Sequence, residues 1–167
     1  MVRHNPENLI LSLDQGTTNS KAFVFTSQGD PVSSITRGLK QQYPSPGWVE
    51  QDPELIWKSI IQVARKAISN SRSSGLSCIA ITNQRETTIL WDKRTLKPVT
   101  PAIVWQDRRS SKICENLRAS GYSNVVWDRT GLVIDPYFSA TKLIWLFEKY
   151  PKLRKRAEAG EIYFGSL

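Results

Sequence analysis

The chain has 167 residues, 40% of them hydrophobic and 23% charged, which suits one folded domain with a buried core and excludes a disordered polyelectrolyte. Its 23 basic residues against 15 acidic ones leave a net charge of +8, a balance that suits polyanionic partners: nucleic acid, a membrane surface or a phosphorylated small molecule. Two distant cysteines and one histidine exclude a disulfide framework, a cysteine zinc site and histidine-based nucleophilic catalysis, and no apolar run approaches the roughly 18 residues of a membrane span.

In chain order, residues 1–8 form a polar leader that carries the single histidine, His4, and only five mostly apolar residues follow. That run is too short for a signal-peptide core, so a reducing, cytoplasmic location is expected. Residues 9–13 read as a buried strand ending at Asp14, residues 21–26 as a second strand after the polar segment 15–20, and residues 32–39 as a third. Polar turns between them predict an antiparallel meander. Residues 43–50 form a proline-stiffened loop. Asp52 and Pro53 then offer an N-cap and a proline at the first helical position, and Leu55, Ile56, Ile60, Val63, Ala64, Ala67 and Ile68 recur at helical spacing. A helix is predicted over residues 53–69, ended by the polar residues 69–74. Strands are predicted over 78–82, 87–91 and 102–105, a polar helix over 108–119, and further helices over 140–149 and 151–159. Ile162, Tyr163 and Phe164 open a last strand just as the chain stops, which suggests a truncated chain. Elements in this order predict an α/β fold, a mixed sheet flanked by helices.

Three groups of residues could carry chemistry. Asp14-Gln15-Gly16-Thr17-Thr18-Asn19-Ser20-Lys21 lies between two predicted strands. An aspartate at a strand end can hold a hydrated Mg²⁺. Gly16 lets the backbone turn tightly and approach a bulky anion. Thr17, Thr18, Asn19 and Ser20 offer polar side chains and backbone N–H groups, and Lys21 a point charge, so the segment could cradle phosphate oxygens. The same residues also make an ordinary polar hairpin. No GxGxxG fingerprint is present, and the glycine spacing from Gly160 to Gly165 lacks the lysine of a Walker A loop.

The second group is Arg85-Glu86, just beyond a predicted strand. A guanidinium that donates and a carboxylate that accepts together satisfy a polyol, although neighbouring opposite charges can equally form a surface ion pair. The third is Trp48, Trp105 and Tyr137, at strand ends or in loops, where flat rings either wall a small-molecule pocket or cover the core. Trp57, Trp91, Trp127 and Trp145 lie within apolar patterns and are expected in the core. Asp92, Asp107, Asp128 and Asp135 are scattered, and no two are spaced as a catalytic dyad. The basic run 149–156 reads as a solvated helical face rather than a nucleic-acid patch, because no zinc finger, aromatic RNP motif or basic zipper accompanies it.

Taken in order, Leu13-Asp14-Gln15-Gly16-Thr17-Thr18 and Pro46-Gly47-Trp48-Val49-Glu50-Gln51-Asp52-Pro53 resemble the opening of the FGGY family of carbohydrate kinases. Ile81-Thr82-Asn83-Gln84-Arg85-Glu86-Thr87-Thr88, Ala102-Ile103-Val104-Trp105-Gln106-Asp107-Arg108-Arg109 and Thr130-Gly131-Leu132-Val133-Ile134-Asp135-Pro136-Tyr137-Phe138-Ser139 are similar to its glycerol kinase branch. The resemblance implies ATP-dependent phosphorylation of glycerol on an actin-like, ribonuclease H-like ATPase fold that is incomplete at its C-terminus. It implies a leader at 1–8, a truncated N-terminal kinase domain at 9–167, and a C-terminal domain absent from the chain.

By the same likeness Asp14 would position Mg²⁺, and Gly16, Thr17, Thr18 and Asn19 would lie along the phosphates of ATP. Lys21 stands where the family usually has an arginine, which keeps the charge but loses the bidentate fork. Arg85, Glu86 and Tyr137 match glycerol-contacting positions, and Trp105 an aromatic wall. The general base is expected outside this chain, so the chain alone should bind glycerol and ATP or ADP without turning them over. The alternative is a non-catalytic binding or regulatory module that retains the fold. Neither nucleic acid nor membrane is an expected partner, while apolar surface left bare by truncation would favour self-association.

Overall fold

The computed structural model describes residues 9–72 and 75–167; the polar leader with His4, and residues 73–74, lie outside the described residues. Strand β1 runs Ile10–Gln15, β2 Asn19–Phe25 and β3 Pro31–Gly38. A two-residue strand β4, Glu50–Gln51, precedes helix α1, Pro53–Ser71. Then come β5 (Cys78–Asn83), β6 (Thr88–Asp92) and β7 (Ala102–Ile103). Helices α2 (Ser111–Ala119), α3 (Tyr122–Thr130), α4 (Ser139–Lys149) and α5 (Pro151–Glu158) follow, and β8 (Ile162–Ser166) closes the chain. Among the described residues no helix is long and apolar enough to cross a membrane.

The elements belong to two units. The first comprises the described residues of 9–40 and 53–84. Its sheet has the order β3-β2-β1-β5, antiparallel through the first three strands, as the polar turns predict, and parallel between β1 and β5. The parallel pair needs a long crossover, and α1 lies within it. Alternation along β2 sends Ser20, Ala22 and Val24 inward. There Ala22 and Val24 join Leu9 and Leu11 against Ile60, Val63, Ala64 and Ala67 of α1. Burying each leucine, isoleucine or valine among them is worth about 1.5–3 kcal/mol, which accounts for a helix whose polar face needs no partner.

The second unit comprises residues 41–52 and 85–167. Its sheet, β4-β7-β6-β8, is antiparallel throughout, with Leu90 opposite Phe164 and Trp91 opposite Tyr163. Leu90, Ile103, Leu146 and Leu153 form its core. The α/β prediction therefore holds, with a mixed sheet and a separate antiparallel one. An element absent from the sequence reading is α3, which buries none of its residues and lies between two glycines in the left-handed region, Gly121 (φ +82°) and Gly131 (φ +68°). With no apolar stripe there was no periodicity to detect.

Two tryptophans expected in the core are exposed instead: Trp57, at 66%, and Trp127, at 58%. Trp57 falls outside the buried stripe of α1, and Trp127 belongs to the helix without one. The basic run is largely engaged. Arg154 pairs with Glu158, Arg156 with Asp92 and Glu161, and the Lys149 ammonium lies 4.5 Å from the centre of the Trp48 ring.

Candidate functional site

In the first unit the candidate phosphate segment forms the end of the β1–β2 hairpin. Asp14 faces Lys21 across the strands, and their charged groups lie 3.7 Å apart, both a little over one-third exposed. At such exposure the pair contributes little stability, about 0–1 kcal/mol. The turn is closed by the Gly16 N–H donating to the Asn19 carbonyl at 3.0 Å. A Cβ on residue 16 would sit 3.1 Å from that same carbonyl oxygen, so any other residue there would push the carbonyl by a few tenths of an ångström. Thr18 is exposed, Thr17 and Asn19 are half-buried, and the Asn19 amide donates to the Thr18 hydroxyl at 3.0 Å.

Beneath this turn lies a polar brace that the sequence reading did not identify. Gln15, Ser20 and Gln84 are all buried. The Ser20 hydroxyl donates to Gln15 Oε1 at 2.9 Å, and the Gln84 N–H donates to the Gln15 carbonyl at 2.8 Å. Buried polar groups must be paired, and these pair with one another, which gives the turn its shape. Their positions beside the motif were visible in the sequence; their burial was not.

In the second unit Glu86, Trp105 and Tyr137 come together. Glu86 begins the approach to β6 with φ +62°, a conformation costing roughly 1–2 kcal/mol for an L-residue with a side chain. Its carboxylate Oε2 accepts from the Ser139 N–H at 3.2 Å and the Ser139 hydroxyl at 3.0 Å. The Trp105 and Tyr137 rings meet edge to face, centroids 5.9 Å apart, and the Trp105 backbone N–H donates to the Thr87 hydroxyl at 3.3 Å. Arg85 is exposed and forms no ion pair with Glu86, so the alternative of a surface ion pair within Arg85-Glu86 is set aside.

Two residues that sequence reasoning missed support this cluster: Ser139 and Lys142, one turn apart at the start of α4. Lys142 is fully buried and donates to the carbonyls of Glu86 at 2.9 Å and Tyr137 at 2.6 Å. Burial pushes its ammonium down from 10.5 to about 8, against the attraction of Glu86, Asp107 and Asp135. A signal was available, since Lys142 stands four residues before the core residue Leu146, where a lysine is out of place.

Trp48, the remaining candidate ring, has a different task. It packs edge to face on Trp145, centroids 4.9 Å apart, and the Arg109 guanidinium lies 4.1 Å from its centre. Arg109 is itself held by Asp107 at 2.9 Å and Glu50 at 2.8 Å, and Asp107 also accepts the Val49 N–H at 2.6 Å. Asp107 is thus a buried structural anchor. A cleft of about 530 Å³ in the same unit, lined by Val99, Ile103, Leu146 and Leu153 among others, contains none of Arg85, Glu86, Trp105 or Tyr137.

Comparison with known proteins gives a uniform result. The model of the FGGY family of carbohydrate kinases, N-terminal domain, matches residues 9–165. Glycerol kinase 2 of Thermotoga maritima is 52% identical over 160 residues, covering 95% of this chain and 32% of its own length. Glycerol kinase 1 of Pseudomonas aeruginosa is 50% identical with the same coverage. The crystal structure of Plasmodium falciparum glycerol kinase with ADP superposes with a TM-score of 0.89 at 34% identity, over 95% of this chain and 32% of that one. Ligand-bound xylulose kinase from Lactobacillus acidophilus, at 23% identity and a TM-score of 0.80 over 87% of this chain and 29% of its own, shares the fold. The chain spans about a third of the length of the curated relatives it matches.

Proposed function

The chain belongs to the FGGY family of carbohydrate kinases, and on that premise we propose that it supplies the opening third of an ATP-dependent glycerol kinase. The observation that carries this reading is the cluster at Glu86. One carboxylate oxygen is occupied by Ser139, which leaves Oε1 to accept from a substrate hydroxyl. Arg85, exposed and adjacent in the chain, donates to others. The Trp105 and Tyr137 rings offer an apolar wall to the carbon side of a small polyol. Support comes also from roughly half-identity to proteins named glycerol kinase.

The hairpin of the first unit takes the nucleotide phosphates in this reading. Gly16 permits close backbone approach, Thr17, Thr18 and Asn19 supply donors, and Lys21 adds a positive charge. Asp14 presents one carboxylate, a little over one-third exposed, and no group of three or more histidine, cysteine or acidic side chains that could hold a metal occurs among the described residues. That donor set fits Mg²⁺, which keeps its waters and shares itself between one or two carboxylates and a substrate's phosphates. Bound there, Mg²⁺ would neutralise charge on the phosphates. Phosphoryl transfer depends mainly on positioning and charge stabilisation, and these residues serve both. Deprotonation of the attacking hydroxyl is left, as the family resemblance implies, to a base in the part of such a kinase that these 167 residues do not cover.

The test is calorimetric titration of the chain with glycerol and with Mg-ADP, alongside Arg85→Ala. Glycerol should bind saturably, and the substitution should weaken binding about tenfold, the worth of one charge-assisted hydrogen bond. Glycerol-dependent ADP release should be absent from the chain alone. Unchanged affinity in Arg85→Ala would remove the guanidinium from the site.

A further inference from the structure

Lys142 is the largest of the fully buried side chains among the described residues, and both of its hydrogen bonds run to backbone carbonyls rather than to a carboxylate. Burying an ammonium is costly, and neutral carbonyls offset the cost less well than an anion would. A leucine or methionine would fill the same volume more cheaply. The value of the ammonium therefore lies in what those two carbonyls do, and they belong to Glu86 and Tyr137, residues 51 positions apart whose side chains form the proposed substrate cluster.

The local geometry strengthens the point. Glu86 occupies the left-handed region, so its carbonyl direction needs an external hold. Ser139 and Lys142 are three residues apart on α4 and therefore on one face. From that face Ser139 grips the carboxylate of Glu86 and Lys142 its carbonyl. One helical turn thus sets both ends of the residue, and its second bond from Lys142 ties Tyr137 to the same point.

We propose that Lys142 is a positioning residue for the polyol site, fixing the backbones of Glu86 and Tyr137 so that carboxylate and ring face a single substrate molecule. The proposal rests on reading that cluster as the polyol site. Lys142 touches no substrate and acts through the two residues it holds.

The experiment uses the 167-residue chain with ¹³C-labelled carbonyls, unsubstituted and as Lys142→Met, with glycerol as the probe. Below the variant's unfolding transition, Lys142→Met should bind glycerol at least about tenfold more weakly, as the loss of charge-assisted hydrogen bonds implies. The carbonyl resonances of Glu86 and Tyr137 should shift, while those of residues 16–19 stay in place. A merely structural lysine would lower the unfolding temperature without changing affinity in the folded state.

Should Lys142→Met not fold, the unsubstituted chain still decides. Its Glu86 and Tyr137 carbonyl resonances should titrate together with a shared midpoint near 8, where burial places the ammonium. The groups facing it are the carboxylates of Glu86, Asp107 and Asp135 and the guanidinium of Arg109, with the Tyr137 phenol on a residue it holds. Independent midpoints, or a folded Lys142→Met that binds glycerol as the parent does, would overturn the role of Lys142 alone. Failure of the unsubstituted chain to bind glycerol would overturn the polyol reading and this role with it.

Discussion

Asp92 shows how one side chain can organise a turn. Its Oδ1 accepts from the Thr95 N–H at 2.6 Å, the Thr95 hydroxyl at 2.9 Å and the Arg94 N–H at 3.0 Å, while Oδ2 takes Arg156 at 2.5 Å. These donors, those of Thr95 foremost, favour the ionised form and lower the carboxyl from 3.8 to about 2. A depressed carboxyl lends stability that is fully present above the unfolded value and is lost as pH falls through the folded one. Asp92→Asn should therefore be less stable than the parent at pH 7, with the difference shrinking between about pH 4 and pH 2. Urea unfolding at several pH values measures this, and a pH-independent difference would assign the effect to packing. Glu86 and Asp92 contrast here. Asp92 gathers three of these four hydrogen bonds locally, from Arg94 and Thr95, and only one from the distant Arg156, whereas Glu86 depends on Ser139 and Lys142, both more than fifty residues away.

Among the elements, the short strands of the second unit depend on one buried ion cluster. β4 is two residues long, too short to hold its place by ladder bonds alone. Beside it Asp107, wholly buried, accepts from the Val49 N–H and clamps Arg109, which in turn reaches Glu50 of β4. Removing one member of a buried pair leaves an uncompensated charge, at a cost of about 3–5 kcal/mol. Asp107→Ala should fall near the lower end, about 3 kcal/mol, because Glu50 still answers Arg109. Thermal unfolding would detect it readily; a loss below about 1 kcal/mol would show that the cation–π contacts with Trp48 and Trp145 suffice. The β4–β7 pairing could not be foreseen locally, since it joins residues about fifty positions apart through just two rungs.

For the molecule as a whole, net charge and exposed apolar surface act in opposite directions. β5 occupies the edge of the first sheet with Ile79 58% and Ile81 74% exposed. An apolar strand at the edge of a sheet invites pairing with a second copy. A net charge of +8 opposes that by repulsion, which salt screens over roughly 10 Å at 0.1 M. Self-association should therefore increase with protein concentration and with salt, and Ile81→Lys should suppress it. Static light scattering distinguishes these outcomes, and a monomer at all salt concentrations would show that the edge is inert. The same +8 does not require a nucleic-acid partner, because much of the basic run is engaged with acids and rings of its own unit.

Local patterning accounts for much of this protein. Apolar runs and polar turns place β1, β2 and β3 and their antiparallel order; the spacing from Ile56 to Ala67 places α1; and Glu86, Trp105 and Tyr137 are legible in the sequence as candidate polyol-site residues. Each of these follows from interactions among near neighbours, or from side-chain chemistry carried by the residue itself. The division into two sheets, the pairing of β4 with β7, the exposed Trp57 and Trp127, and the burial of Lys142 were decided by the folded chain. They depend on which distant segments meet. A lysine reads as a solvent-facing charge until the helix that bears it is laid against two carbonyls needing a donor.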